Sequence, residues 1–528
     1  SGGSLKESGC KFCCACVEVC PTGALMDRGD KWEPWTDREA ALVPCRHACP
    51  ANIDVPRYVR LIGEGKFAEA LAVVREKVPF PATLGRVCFH PCEVKCRRNE
   101  LGESIAIKSL KRFAAEHENG LWKSNSKQAP PTGKRVAIVG AGPAGLTAAY
   151  YLAKLGHSVT VFDALPHPGG MMRVGIPEYR LPRDILAAEI NTISEVGVDI
   201  KTNTRVESLD ELFQQGYNAI FLALGAHRGT KLGVEGEDLP GVIDALTFLR
   251  DVSLGKEVKT GDRVAVIGGG NSAMDAARTA LRLGAKKVTV LYRRTRAEMP
   301  ASPEEVQEAL HEGVEVVFLI TPVRIGQGNG ALSVECIRMR LGEPDASGRR
   351  RPEPIPGSEV ALEFDVLIAA LGQMPEIPDQ FGLRLGRGDR IQVDGKTLGT
   401  SREGVFAGGD VVTGPASVIE AIAAGRRAAT SIDKYLGGEG AIEEVLVQAE
   451  KPSPCLGRDE GFADRARVQM PSLALEQRLG GFAEVECGFD EEMAIAEAKR
   501  CLQCDLRLQM SKEISLPVKA KSVLNLER

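Results

Sequence analysis

Apolar residues recur at helical spacing in three early stretches, Val55–Gly63, Lys66–Lys77 and Ile105–Glu116, and the pattern predicts helices there. From Lys123 to Thr132 the chain is polar and ends in Pro-Pro, the composition of a linker. The pattern then changes. Arg135–Val139 is a short apolar run, Gly140–Gly145 a glycine-rich turn, Leu146–Leu155 a helical repeat and Val159–Phe162 a second apolar run. The same strand–glycine–helix–strand unit returns at Arg263–Leu291. Two such units about 130 residues apart predict tandem Rossmann-like domains. Ala219–Gly225 and Asp365–Gly372 are expected to be short strands ending in glycine, Gly342–Pro356 a hairpin or surface loop, and Ser417–Thr430 a helix. From Tyr435 the chain turns loop-like, with Gly437-Gly438, Pro452 and Pro454, until a helix at Glu491–Arg500 leads into a cysteine pair.

The length of 528 residues suggests three or four domains. An aromatic content of 5% gives little surface for stacking bases, and a formal charge of −4 does not suit a polyanion, so no nucleic-acid partner is expected. No stretch resembles a signal peptide or is apolar enough to span a bilayer, so no membrane insertion is expected either. Twelve of the fifteen cysteines lie in three groups near the two ends. Without an export signal this usage indicates a reducing, cytoplasmic setting where thiols hold metal; a disulfide framework is the less fitting alternative at this length. The chain begins Ser1-Gly2-Gly3 without methionine, so either it is processed or the sequence starts inside a longer protein.

In VAIVGAGPAG, Gly140, Gly142 and Gly145 occupy the G-x-G-x-x-G positions between a strand and a helix. Glycines there permit a tight turn and close approach to a pyrophosphate, which the helix N-terminus attracts. Asp163 ends the next strand, where an acid accepts hydrogen bonds from an adenosine ribose. Farther on, GVFAGGD places Gly409 and Asp410 before another helix, a second phosphate or ribityl contact suited to FAD, which is longer than NAD. The second fingerprint, VAVIGGGNSAMDAAR, supplies Gly268, Gly270, Asn271 and Ala273. No acid follows its next strand; Arg293 and Arg294 stand there instead, and guanidinium forks suit a 2′-phosphate, which favours NADPH over NADH. A solvated strand end is the bland reading of the two arginines. Neither nucleotide domain contains a C-x-x-C or C-x4-C pair, which excludes a disulfide-reductase dithiol, and Cys336 alone is expected to be a buried or edge thiol. Cys10, Cys13, Cys16 and Cys20-Pro21 follow the C-x2-C-x2-C-x3-C-P ferredoxin spacing, in which the fourth cysteine ligates the other cluster of a pair. Cys14 is expected to be a bystander. Cys45, Cys49, Cys88, Cys92 and Cys96 form the second group; His47 and His90 lie within it, with capping or packing favoured over iron ligation.

The segments GKRVAIVGAGPAGLTAAYYLA, PGGMMRVGIPEYRLP, GGGNSAMDAARTALRLGAKKVTVLYRR and FAGGD resemble the small subunit of NADPH-dependent glutamate synthase and its relatives, among them the ferredoxin–NADP transhydrogenase large subunit and part of dihydropyrimidine dehydrogenase. The resemblance covers about residues 40–440. It implies FAD in the first site, NADPH in the second, and a flavin lying along Gly169–Arg180, with Gly170 and Met171 touching it. It also implies two [4Fe–4S] clusters: one on Cys45, Cys96, Cys501 and Cys504, with RCLQC at the far C-terminus standing in for a pair usually found earlier, and one on Cys49, Cys88 and Cys92. The family places Gln or Glu as the fourth ligand of the latter, where this chain has Lys111. For Cys501 and Cys504 a separate redox pair or zinc site is the alternative. SGGSLKESGCKFCCACVEVCPTGAL resembles the end of the two-cluster domain in formate dehydrogenase and complex-I-like large subunits, which would leave Cys20 serving a cluster with ligands upstream.

The expected fold is α/β: two Rossmann-like domains of the pyridine nucleotide-disulfide oxidoreductase type, an α-helical iron–sulfur domain and a ferredoxin-like segment. The expected boundaries are 1–30 for the ferredoxin-like segment, 31–125 for the helical domain, 134–255 with 365–440 for FAD, 256–364 for NADPH and 441–528 for a C-terminal extension. The expected function is electron transfer between NADPH and two to three [4Fe–4S] clusters through FAD, in either direction, within a hetero-oligomer whose other redox subunit or ferredoxin-like protein exchanges the electrons. No side-chain nucleophile or general base is needed, since the chemistry belongs to the cofactors. By analogy the partner is a molybdopterin, formate-dehydrogenase-like subunit, as in soluble NADPH-dependent Fe(III) reductases. A glutamate synthase small subunit, a bifurcating transhydrogenase subunit and an electron-relay scaffold with an idle nicotinamide site are the alternatives.

Overall fold

The computed structural model describes residues 4–26, 37–328, 330–345, 348–449 and 456–513. Pro452 and Pro454 of the expected loop, and residues 31–36 of the expected helical domain, lie outside them. The chain forms two compact units, one of residues 1–126, 443–471 and 488–528, the other of 127–442 and 472–487.

The nucleotide-type unit is built on two parallel sheets. The first runs Val405–Ala407, Ala219–Leu222, Arg135–Val139, Ser158–Phe162, Asp199–Lys201 in spatial order. The second runs Val242–Asp244, Val366–Ala369, Arg263–Ile267, Lys287–Tyr292, Glu315–Phe318. Their central strands are buried along nearly their whole length, as expected where both faces are covered. Side-chain alternation divides Arg263–Ile267 between two cores. Val264 and Val266 pack with Ala273, Ala276, Ala277 and Ala280 of the helix Asn271–Arg282. Ala265 and Ile267 pack with Leu332, Val334 and Cys336 of an antiparallel sheet. That sheet contains the hairpin Leu332–Pro344 with Arg350–Pro354, so the stretch 342–356 is a hairpin. Cys336 is a buried thiol in its middle, pushed up to about 12 by desolvation.

Several bounds differ from the pattern. The helix after the first fingerprint is Pro143–Lys154, beginning three residues before the expected Leu146, because proline is well tolerated in a first helical turn whose N–H groups lack partners. The helix Leu121–Asn125 reaches into the polar linker. The strand Val366–Ala369, expected with the first sheet, pairs with Val264–Ile267 in the second, and Val242–Asp244 pairs with it from the other side. Both strands therefore belong with the second sheet: chain order does not reveal which sheet a short crossover strand rejoins. Residues 472–487 of the expected C-terminal extension pack with the nucleotide-type unit, where Val485 N–H donates to Tyr179 O at 3.0 Å.

The other unit is helical. Val55–Gly63 matches its expected bounds, while Phe67–Arg75 and Ile107–Glu116 start a little inside theirs. The helices Pro81–Val87 and Ile107–Glu116 approach so closely that a Cβ on Gly85 would stand 2.5 Å from Arg112 Cα. The C-terminal helix Glu491–Ala498 lies against Val55–Gly63. Gly85→Ala is expected to destabilise this unit by about 1–3 kcal/mol through overpacking, read as an early transition in a thermal melt. An unchanged melt would show that these two helices part without cost.

Candidate functional site

The first fingerprint opens onto a cavity of about 310 Å³, lined among others by Gly140, Gly142, Asp163, Gly170, Met171, Gly409 and Asp410. Each glycine has a separate reason to be there. Gly140 has φ +110°, and a Cβ on it would collide with the Ala223 carbonyl oxygen of the neighbouring strand. Gly145 does not line the cavity; a Cβ there would collide with Gly140 O, so its role is close helix–strand packing. Gly142 has no atom nearer to its Cβ position than Gly170 Cα at 4.0 Å, leaving its backbone open to a ligand. Asp163 anchors the turn as well as facing the cavity: Ala141 N–H donates to Oδ2 at 2.6 Å and Leu165 N–H to Oδ1 at 2.8 Å. Asp410 is pushed up to about 6, mainly by desolvation. His227, Arg250 and Glu376 also line the cavity. His227 and Glu376 come from loops and Arg250 from the helix Ala245–Ser253, none with a local signature, and burial pushes the His227 imidazole down.

The second fingerprint opens onto a cavity of about 500 Å³, lined by Gly268, Gly270, Arg293, Arg294, Arg349 and others. Gly268 repeats the Gly140 geometry, with φ +142° and a Cβ that would collide with Ala370 O. Asn271 and Ala273 are not on the cavity wall. Asn271 Oδ1 accepts from Ser302 N–H at 3.0 Å, and Ala273 is fully buried in the core. The two arginines divide. Arg294 is 5% exposed, and its Nη2 and Nε donate to Asp345 Oδ2 and Arg350 O, each at 2.8 Å. Arg293 is exposed on the rim. Arg294 thus fastens the tip of the hairpin, and the hairpin brings Arg349 to the cavity. Nothing in its local sequence marked Arg349.

In the helical unit the cysteine groups converge. Burial pushes the Cys45 thiol well up, and the negative charges of Cys501, Cys504, Cys96 and Cys92 push it further. Cys504 is pushed up to about 12 by burial and then by Cys96 and Asp505, against the pull of Arg97. Cys49, Cys88 and Cys92 form a second buried group, with Lys111 acting on Cys49 and Cys92. The tail that carries Cys501 is held by a fully buried carboxylate. Glu497 accepts from Ala106 N–H at 2.8 Å, Val468 N–H at 2.9 Å and Arg500 Nη1 at 2.6 Å. Arg500 donates onward to Glu103 O and Ser104 O.

The backbone around these thiols is shaped for anionic sulfur. Phe12, His90 and Gln503 are non-glycine residues with φ of 52°, 43° and 49°. Each lies two residues after a cysteine, and its N–H donates to that sulfur, Cys10, Cys88 or Cys501, at 3.4–3.5 Å. Left-handed conformations at such residues are costly and collect at functional sites, and hydrogen bonds to sulfur tune iron–sulfur clusters. Among the described residues no three His, Cys, Asp or Glu groups close around a single ion. Cys13 is pushed up by burial and by Cys14, Cys10 and Cys16. Cys14 is also within reach of Arg97 Nη2, at 3.9 Å. Cys20 stands outside this group, turned toward the Thr22 hydroxyl and Leu25 N–H, which lower it to about 7.

Two outcomes are expected. A carboxyl raised from its unfolded value of 3.8 to about 6 stabilises the flavin-free chain fully below that unfolded value, and the contribution is lost as pH rises through 6. The flavin-free protein should therefore lose up to roughly 3 kcal/mol through this group, and Asp410→Asn should flatten that part of the melting profile. For the second cavity, Arg293→Ala and Arg349→Ala should each weaken NADPH binding by about 1.5–3 kcal/mol while sparing NADH, as measured by equilibrium titration. Equal losses for both nucleotides would remove the arginines from 2′-phosphate recognition.

Among the described residues no helix is long and apolar enough to cross a membrane. Residues 134–425 match the pyridine nucleotide-disulphide oxidoreductase family, and residues 39–121 match dihydropyrimidine dehydrogenase domain II, a 4Fe-4S cluster domain. The chain is 45% identical to the NADP(+)-dependent formate dehydrogenase subunit beta of Moorella thermoacetica, over 87% of this chain and 70% of that one. It is 42% identical to the NADPH-Fe(3+) oxidoreductase subunit beta of Geobacter sulfurreducens, over 87% and 75%. It is 36% identical to the glutamate synthase [NADPH] small chain of Escherichia coli, over 74% and 88%. The fold is shared with FprA from Mycobacterium tuberculosis, at a TM-score of 0.51 and 20% identity, over 58% of this chain and 85% of that one. The chain therefore belongs to the pyridine nucleotide-disulphide oxidoreductase family, as an electron-transfer member that uses FAD, NADP(H) and [4Fe–4S] clusters.

Proposed function

We propose that this chain exchanges electrons between NADPH and a separate redox subunit of the formate-dehydrogenase type, with its cysteine clusters as the exit. The observation that carries this reading is the gathering of Cys45, Cys96, Cys501 and Cys504 in one unit, while among the described residues no cysteine lines the cavity of the first fingerprint. FAD, when bound, accepts a hydride as an electron pair and releases electrons singly. The chain's own residues bind and orient. Gly142 leaves backbone open to the flavin nucleotide, Gly409 lines the same cavity, and Asp410 holds or releases a proton beside it. Gly268 and Gly270 admit the nicotinamide nucleotide's pyrophosphate, and Arg293 with Arg349 meets its 2′-phosphate. Cys45, Cys96, Cys501 and Cys504 hold one cube; Cys49, Cys88 and Cys92 hold a second. Cys10, Cys13 and Cys16 hold a third, and Cys20 serves elsewhere.

Similarity to the formate dehydrogenase and Fe(3+) oxidoreductase subunits spans 87% of the chain, against 74% for the glutamate synthase small chain, which favours a partner like that of the former two. Both relatives are named as subunit beta, so the active assembly is taken to be hetero-oligomeric. A reducing cytoplasm fits thiols kept ready for iron.

Stopped-flow mixing with NADPH tests the reading. Flavin bleaching should survive in Cys96→Ser and Cys501→Ser, whereas electron delivery to the partner should fall at least tenfold. Iron content and EPR should show that both variants lose the same cluster. If Cys501→Ser keeps every cluster signal while Cys96→Ser loses one, the shared cage is wrong. If either variant serves its partner at the normal rate, that cage is off the electron path.

A further inference from the structure

The two cysteine groups of the helical unit differ in their fourth corner. Cys45 is surrounded by Cys96, Cys501 and Cys504, a complete set of four thiolates. Cys49, Cys88 and Cys92 are more buried, at 8%, 8% and 6% exposure, and the side chain that joins them is Lys111, itself 4% exposed. Its position follows from helix packing. The contact at Gly85 draws Ile107–Glu116 down onto Pro81–Val87, and Lys111 Nζ comes to 3.5 Å from Leu84 O, one turn before Cys88 caps that helix. Lys111 is near enough to Cys49 and Cys92 for its charge to act on both.

Tyr58 and Glu93 nearby are committed. Tyr58 Oη donates to Ile107 O at 3.0 Å. Glu93 Oε1 accepts from Lys108 N–H at 2.8 Å, and Oε2 accepts from Arg467 at 2.7 Å. His90 Nδ1 is 3.7 Å from that same Oε2, beyond hydrogen-bond length, while the His90 backbone N–H is directed at Cys88 Sγ. A lysine in its usual charged form has three donors and no lone pair, so it hydrogen-bonds sulfur and repels a cation.

We propose that the cube on Cys49, Cys88 and Cys92 has three thiolate corners and that its fourth iron, facing Lys111, has no protein ligand and is exchangeable. This rests on the ligand assignment proposed above. Such an iron is held by the three inorganic sulfides and by water or a small added thiol. A one-electron oxidant should release it in a balanced step. The three sulfide bonds to the fourth iron break and it leaves as ferrous iron. The remaining ferrous ion gives one electron to the oxidant, leaving three ferric irons, three cysteine thiolates and all four sulfides. A cube with four cysteine thiolates has no such corner to lose.

The test uses the full chain, loaded with its clusters under anaerobic conditions and titrated with ferricyanide. Low-temperature EPR should show the signal of a three-iron cluster, with ferrous iron released alongside. Lys111→Cys, which supplies a fourth thiolate, should lower that signal by about one spin per chain at unchanged total iron; the comparison separates this cube from the one on Cys10, Cys13 and Cys16. Should Lys111→Cys fold poorly, oxidised wild-type protein re-supplied with ⁵⁷Fe(II) serves instead. Mössbauer spectra should show label entering one corner of each three-cysteine cube, and Cys49→Ser should abolish the share of this one. The inference is overturned if the wild type keeps all its iron under ferricyanide, if a fully loaded Lys111→Cys protein gives an undiminished signal, or if Cys49→Ser leaves label uptake unchanged. If Cys49→Ser and Cys92→Ser lose no cluster at all by iron count, the ligand assignment itself fails. Loss of a cluster in those variants, with no three-iron signal in the wild type, leaves the assignment standing and sinks only the open corner.

Discussion

Everything this chain must hold presents negative charge: pyrophosphates, a 2′-phosphate and clusters of thiolates. The backbone answers with N–H groups that no side chain obstructs. At Gly140 and Gly268 the chain turns with φ of +110° and +142°, so close to the next strand's carbonyl that only a missing Cβ permits it. At Phe12, His90 and Gln503 it accepts a left-handed conformation at residues that do carry a Cβ, and the N–H gained points at a cysteine sulfur. Glycine makes the first kind of turn inexpensive. The second kind is strained, and it persists because the packed helices around it fix the path of the chain.

A cage made from both ends of a chain also needs an anchor. Glu497 and Arg500 provide it. Both are almost wholly buried, and they satisfy one another and the backbone at Ala106, Val468, Glu103 and Ser104. A buried charge with so many partners is costly to break on one side, because the group left behind is neither solvated nor paired. The pair Arg60–Asp505, at 3.0 Å, adds a second fastening on the far side of Cys501 and Cys504. The cysteine pair is held from both flanks, which fixes the positions of its two sulfurs.

The nucleotide-type unit uses charge in the same way to hold its parts in register. Arg180, at the end of the segment expected along the flavin, reaches Asp275 and Glu305 at 2.8 and 2.9 Å. Asp275 lies on the helix that follows the second fingerprint. Arg294 plays a comparable part at the hairpin, where its fork is spent on Asp345 and Arg350. An arginine placed by sequence among phosphate ligands can thus be a fastener, while a further guanidinium reaches the cavity from another element.

Local pattern determined much of this protein. The two fingerprints, the strands at Arg135–Val139 and Arg263–Ile267, the helix Val55–Gly63, the family and its cofactors were all legible, because each depends on neighbours within one turn or one strand. The sequence by itself also named the cysteines, but brought Cys501 to Cys45 only through resemblance. Tertiary structure decided the rest. It decided that Val366–Ala369 joins the second sheet, that Gly145 packs rather than binds, and that Arg349 joins Arg293 and Arg294 on the cavity wall. It also decided that residues 472–487 leave the helical unit's stretch of chain for the other unit. These facts rest on contacts between segments far apart in the chain. No local periodicity encodes such contacts, since they follow from which surfaces remain to be buried once the helices and strands have formed.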